Sequence, residues 1–211
     1  MGRKKKEALT QFNRNNILET AKKLFHEKGL TNTTMDDIAK HADYSKSTIY
    51  VYFKSKEEIY NYIIYDNMVQ LRELLEKNID LQKYSFEQCY FNICNAIVSF
   101  QNEYPLFLET MLSEISIDST DHDENPILKD IYQVGESINS IIILFIENGM
   151  QANYFDSQID PKITTQTLWA SICGVIYLSE KKKDYIQMTM DLKKDAFLHE
   201  SFALLLKSIT R

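Results

Sequence analysis

Between Thr33 and Lys56 two short helix patterns are separated by a tight polar turn, and a third begins directly after the second. In the first, Met35, Ile38, Ala39 and Ala42 recur at i, i+3, i+4 and i+7 behind a threonine cap, Thr33 or Thr34, with Asp36 or Asp37 three residues on. One face is therefore buried. After Asp43, Ser45 caps the second helix, and Tyr44 stands where a hydrophobic staple onto Ile49 sets the angle at which that helix leaves the turn. Ile49 and Phe53 form a narrow inward stripe, leaving Lys46, Ser47, Thr48, Tyr50 and Tyr52 largely outward. Ser55 with Glu58 makes a Ser-x-x-Glu box that opens the third helix, with Lys54 and Lys56 at its amino end. The layout reads as a helix-turn-helix.

The outward face of the second helix is unusual for a solvated surface. A helix fits the major groove of B-DNA, where lysine, serine and threonine hydrogen-bond base edges while tyrosine hydroxyls reach phosphates. A positive helix end with two lysines suits a backbone phosphate. Either helix alone is better explained as part of an ordinary capped, amphipathic helix pair. The turn length, staple, aromatic-rich second helix and flanking lysines agree with one another, and that agreement favours DNA reading.

The stretch Thr33-Thr-Met-Asp-Asp-Ile-Ala through Ser45-Lys-Ser-Thr-Ile-Tyr-Val-Tyr-Phe-Lys-Ser-Lys-Glu-Glu-Ile59 resembles the tetracycline-repressor (TetR) family of bacterial transcription regulators. The resemblance extends back through a first helix in which Ile17, Leu18, Ala21, Leu24 and Phe25 repeat at helical spacing and Gly29-Leu30 supply a left-handed cap. It implies that Thr33 and Thr34 touch phosphate, that Ser45, Lys46, Ser47 and Thr48 approach bases, and that Tyr50, Tyr52, Lys54 and Lys56 clamp the backbone. Ser47 stands where many relatives carry glycine or alanine.

Charge divides the chain in the same way. Residues 1–56 hold 12 Lys and Arg against 6 Asp and Glu, a net +6, whereas residues 57–211 hold 12 against 24, a net −12. A local basic face is what matters near phosphates, and the acidic remainder discourages binding elsewhere. Arg3-Lys4-Lys5-Lys6 add a cationic arm, to be read either as a backbone or minor-groove contact or as a disordered solubilising tail.

With 211 residues and 44% apolar content the chain can bury a large core. Its longest aliphatic and aromatic run, Ile141 to Ile146, is too short to cross a bilayer, and Glu7 to Asn16 is too polar for a secretory signal. A cytoplasmic protein is expected. Cys89, Cys94 and Cys173 lie in apolar helical contexts and read as reduced core residues.

Beyond Ser55 the pattern is helical throughout, predicting an all-α fold of about nine helices. A fourth helix runs from Lys56 towards Asn78, and a fifth opens on a Ser85/Gln88 capping box with Cys89, Ile93, Ile97 and Phe100 inward. A sixth starts at Pro105, a seventh runs from Pro126 to about Gly149, an eighth from Pro161 to at least Leu178, and a ninth from about Asp195 to Ile209. The expected organisation is a three-helix DNA-binding domain, residues 1–56, followed by a helical ligand-binding and dimerisation domain, residues 57–211. Given the resemblance, Ala170, Gly174, Phe202, Leu205, Leu206 and Ile209 on the last two helices are expected at a homodimer interface. The resemblance also implies a cavity for a small, mostly apolar effector among Tyr62, Met68, Phe91, Phe107, Met111 and Phe145.

Asp121, Asp123 and Asn125 match the first three ligands of a calcium loop, but Pro126 takes the glycine place and Tyr132 the place of the bidentate glutamate. The segment reads as a solvated loop, with no metal or cofactor required. No phosphate-cradling loop, Cys-x-x-Cys, Gly-x-Ser-x-Gly or His-Glu-x-x-His occurs, and His26, His41, His122 and His199 are scattered. The expectation is a non-enzymatic, homodimeric, effector-released repressor of a double-stranded operator. Its rivals are a helical ligand-binding or catalytic protein without a DNA role and a sequence-indifferent architectural DNA binder.

Overall fold

The computed structural model describes residues 2–104 and 125–211. Regular structure among them is helical: α1 (Gly2–Lys28), α2 (Met35–His41), α3 (Lys46–Tyr52), α4 (Lys56–Asn78), α5 (Phe86–Glu103), α6 (Pro126–Gln151), α7 (Pro161–Lys181), α8 (Lys183–Met190) and α9 (Lys194–Lys207). An isolated antiparallel bridge joins Phe155 to Thr210. The helix expected from Pro105, with Phe107 and Met111, and the acidic segment through Glu124 lie outside the described residues.

Helix ends follow the caps read from the sequence. Ser85 accepts from the Gln88 backbone at 3.2 Å while the Gln88 side chain accepts from the Ser85 backbone at 3.0 Å. Asp160 caps α7 through the Ile163 N–H, with Pro161 at its first turn. Gly29 takes φ +79° at the end of α1, the left-handed conformation that stops a helix without steric penalty.

Three elements differ from the sequence expectation. α1 begins at Gly2, so the cationic arm is helical, consistent with a run of Lys, Glu, Ala, Leu and Gln unbroken by proline. α6 continues past Gly149 to Gln151, and the left-handed residue that ends it is Asn153, φ 59°. Gly149 has a different task, since a Cβ there would lie 2.1 Å from the Phe155 ring. α8 was not anticipated: it follows α7 almost directly, has no side-chain cap at its start, and ends on left-handed Asp191.

The chain forms two compact units, one holding residues up to Met68 with 125–132, the other 69–104 with 133–211. In the first unit, Ile17, Ala21 and Phe25 of α1 are buried, as are Ile38, Ile49, Phe53 and Ile59 from the three helices that follow. In the second, α5 buries Cys89, Ile93, Cys94 and Ile97, α7 buries Leu168, Ile172, Cys173 and Ile176, and α9 buries Leu198, Phe202 and Leu206. The Tyr90 hydroxyl donates to the Phe202 carbonyl at 3.0 Å, tying α5 to α9. Burial pushes the Cys94 and Cys173 thiols up to about 12, so both stay protonated at neutral pH.

Candidate nucleic-acid interface

The DNA-reading assignment requires α3 to be held firmly from behind and exposed in front. Ser45, in an extended conformation, accepts from the Thr48 backbone at 3.1 Å and so caps α3; its hydroxyl also lies 2.8 Å from that of Ser47 and 2.7 Å from that of Thr48. Three hydroxyls thus converge at the amino end of the helix. Ile49 and Phe53 are buried beneath it, whereas Ser45, Lys46 and Ser47 are exposed and Tyr50 is 48% exposed.

The turn before α3 depends on Asp43, whose φ of 61° reverses the chain between the two helices. Tyr44 is anchored to α1, its hydroxyl donating to Asn13 Oδ1 at 2.9 Å. The same amide donates through Nδ2 to the Tyr52 hydroxyl at 3.0 Å, and Asn16 donates to the Ala42 carbonyl at 3.2 Å. Arg14 adds a cationic lid, its guanidinium 4.5 Å from the Phe53 ring centre and 3.9 Å from that of Tyr62. α1 therefore braces the reading helix at both ends.

α2 is secured by a reciprocal box in which Asp37 accepts from the Thr34 backbone at 2.9 Å and hydroxyl at 2.7 Å, while the Asp37 N–H donates back to Thr34 at 3.1 Å. These Thr34 bonds, with Lys28 at 2.9 Å, hold the Asp37 carboxyl well below the usual carboxylate range. Asp36 points the other way and pairs with Lys46 Nζ at 2.9 Å, which raises the lysine pKa.

Several expected contacts are reassigned by this geometry. Thr33 is completely buried and its hydroxyl donates to the Gly29 carbonyl at 2.8 Å, so it holds the α1–α2 turn and cannot reach a phosphate. Lys56 Nζ donates to the carbonyls of Leu30 and Thr31 at 2.8 and 3.1 Å, leaving Lys54 as the exposed lysine just before α4. Tyr52 is half-buried, with its hydroxyl engaged by Asn13. Val51, 79% exposed, was missed; lying two residues from Ile49, it projects away from the inward stripe. Asn13 was missed because only tertiary packing brings it to Tyr44 and Tyr52.

Of the residues expected around an effector, Tyr62 and Met68 belong to the first unit and Phe91 and Phe145 to the second. Tyr62 packs edge-on to Phe53 at 5.7 Å under Arg14, inside the first unit. Met68 is buried on α4. Phe91 stacks on His199 at 5.0 Å, while Phe145 belongs to a separate aromatic core with Phe86 and Phe155. Of the expected dimer residues, Phe202, Leu206 and Ile209 are buried within the chain and Leu205 is half-buried. Ala170 and Gly174 are exposed, on the same side of α7 as Ile163, Thr167 and Tyr177. The helical period explains the exchange: the leucine-rich stripe of α9 packs on α7, which turns Leu204 outward. Among the described residues, no group of His, Cys, Asp and Glu is placed to hold a metal ion, and no helix is long and apolar enough to cross a membrane.

Residues 17–63 match the family described as bacterial regulatory proteins, tetR family. The chain is 26% identical over 166 residues to YhgD of Bacillus subtilis (strain 168), an uncharacterized HTH-type transcriptional regulator, covering 79% of this chain and 83% of that one. It is 32% identical over 88 residues to IcaR of Staphylococcus aureus (strain Newman), the negative transcriptional regulator of the biofilm operon icaADBC, covering 42% of this chain and 47% of the relative. In fold it is similar to the regulator FadR of Bacillus subtilis in complex with stearoyl-CoA, with a TM-score of 0.68 at 19% identity, covering 92% of this chain and 98% of that one. The braced, outward-facing α3 thus lies within the segment, residues 17–63, that matches the tetR family of bacterial regulatory proteins.

Proposed function

We propose that the chain is a homodimeric repressor that binds a double-stranded operator through α3 and is released by a small, mostly apolar effector held in its carboxy-terminal helices. The observation that carries this reading is the exposed row Ser45, Lys46, Ser47, Tyr50 and Val51 on a helix fixed from behind by Asn13 and Arg14. Ser45 to Thr48 approach base edges, Val51 offers an apolar contact, and Thr34, Tyr50 and Lys54 take phosphates. We assign reading to residues 1–56 and effector control and dimerisation to residues 57–211, in the cytoplasm.

Two reading helices must match half-sites about one or more DNA turns apart, each turn roughly 34 Å, and a dimer supplies that spacing. Exposed Ile163, Ala170, Gly174 and Tyr177 of α7 with Leu204 of α9 give the partner its face. The effector shifts the pair only by its differential affinity for the DNA-competent and incompetent forms, about 1–3 kcal/mol in typical cases. Binding of FadR to stearoyl-CoA supports an apolar effector by analogy of fold.

Gel-shift titration against the DNA upstream of the chain's own coding sequence and a scrambled copy tests the assignment. A regulator shifts the first at much lower concentration; absence of any shift leaves a ligand-binding protein, and equal shifts leave an architectural binder.

A further inference from the structure

α7 carries the chain's single tryptophan, Trp169, whose indole Nε1 is shielded from water and has no hydrogen-bond acceptor among the described residues. An indole has one polar atom, a donor that cannot accept, so nothing else on the side chain offsets the missing bond. Asn67 Oδ1 and Arg72 Nε on α4 share the condition, but each belongs to a side chain with further polar atoms. A buried donor without a partner is costly, and native proteins hold few of them.

Position on the helix defines what the missing acceptor can be. Trp169 follows Thr165 by four residues and precedes Ile172, Cys173 and Ile176 by three, four and seven, all of them buried, so it belongs to the inward stripe of α7. Ala170 and Gly174 mark the exposed side. The inward stripe holds no charged residue; the Thr165 hydroxyl donates to the Pro161 carbonyl at 2.8 Å, and burial keeps the Cys173 thiol protonated. An ion is costly to bury against such a stripe, whereas a neutral acceptor oxygen is not. We propose that Trp169 is the polar anchor of the effector, donating its indole N–H to an uncharged carbonyl oxygen, as of a ketone or ester, on an otherwise apolar molecule. With Nε1 already closed off, the bond is unmade in this conformer and forms only where α7 admits the molecule. A bond present in one form and absent in the other is the differential affinity through which an effector shifts an equilibrium.

This inference rests on the effector-released regulator proposed above, and the test separates the two. As the single tryptophan, Trp169 reports on itself through its emission and through its indole resonance in a proton–nitrogen correlation spectrum of the full chain. The probes are the straight-chain methyl ketones from hexan-2-one to decan-2-one, with oct-1-ene as the partner of octan-2-one that lacks an acceptor and octanoate as its charged counterpart. A ketone is expected to move the emission to the red and the indole proton downfield. By headspace partitioning, Trp169→Phe of unchanged helix content should bind that ketone about tenfold more weakly, the worth of one hydrogen bond, and bind oct-1-ene as the parent does. If the variant does not fold, the indole proton of the unaltered chain decides alone. An indole proton that no ketone moves, or ketone binding unchanged in Trp169→Phe, overturns the anchor. Octanoate acting at lower concentration than octan-2-one overturns it in favour of a charged effector. A ketone that moves the indole proton and leaves binding to the upstream DNA unaltered supports the carbonyl site and overturns its part in regulation. Failure of the unaltered chain to bind that DNA removes the regulator reading, while the indole proton still decides the site.

Discussion

The side-chain amide of Asn13 donates to the Tyr52 hydroxyl at 3.0 Å while accepting from Tyr44 at 2.9 Å, so a single residue of α1 spans the reading helix from its entry to its last turn. Both bonds are partly buried. Asn13→Ala leaves two phenols without their partner, a cost of about 1–2 kcal/mol in unfolding free energy. The larger effect is expected on discrimination, since a loosened α3 keeps its phosphate contacts and loses its aim. Binding to the upstream DNA should weaken several-fold more than binding to scrambled DNA, and equal losses would show that the brace serves stability alone.

Thr33 separates a structural role from a DNA contact cleanly. Its buried hydroxyl bonds the Gly29 carbonyl, so Thr33→Val is expected to cost about 1 kcal/mol in denaturant unfolding and leave the salt slope of DNA binding unchanged. A slope shallower by about 0.9 would instead mean that a phosphate contact had been lost.

Gly149 and Phe155 approach one another closely. A methyl group at 149 would stand 2.1 Å from the ring, and the backbone N–H groups of Tyr154 and Phe155 both donate to the Gly149 carbonyl. Gly149→Ala should therefore lower stability by about 1–3 kcal/mol, although alanine is ordinarily the better helix former. Adding Phe155→Leu should recover part of the loss in thermal unfolding.

Asp66 is half-buried on α4, and burial raises its pKa in spite of Lys22 and Arg14 nearby. The folded state then binds a proton at higher pH than the unfolded chain, so stability falls as pH rises from the ordinary value near 3.8 through the raised one. Asp66→Asn removes that penalty. The variant should melt higher than the parent at neutral pH and at an equal temperature in strong acid; no gain at neutral pH would contradict the burial argument.

Gly174 offers a test of pairing that leaves the protomer intact. Nothing lies within 4 Å of a Cβ built there, so Gly174→Arg fits the single chain, yet it should convert a dimer to a monomer in sedimentation analysis at unchanged helix content. A persistent dimer would place the interface elsewhere.

Local chemistry made much of this molecule readable in one dimension. Caps at Thr34, Ser45, Ser85 and Asp160 act within three or four residues of themselves, and the inward stripe of Ile49 and Phe53 follows from the helical period. Those short-range rules determined the helical class, the helix-turn-helix and the outward face of α3. Tertiary structure decided which outward or apolar residues were already occupied. Thr33, Lys56 and Tyr52 look like DNA contacts in sequence, but their polar atoms are taken by Gly29, by Leu30 and Thr31, and by Asn13. Phe202, Leu206 and Ile209 likewise turn into the chain, because a stripe wide enough for a partner is equally wide enough for α7, and periodicity cannot say which neighbour arrives.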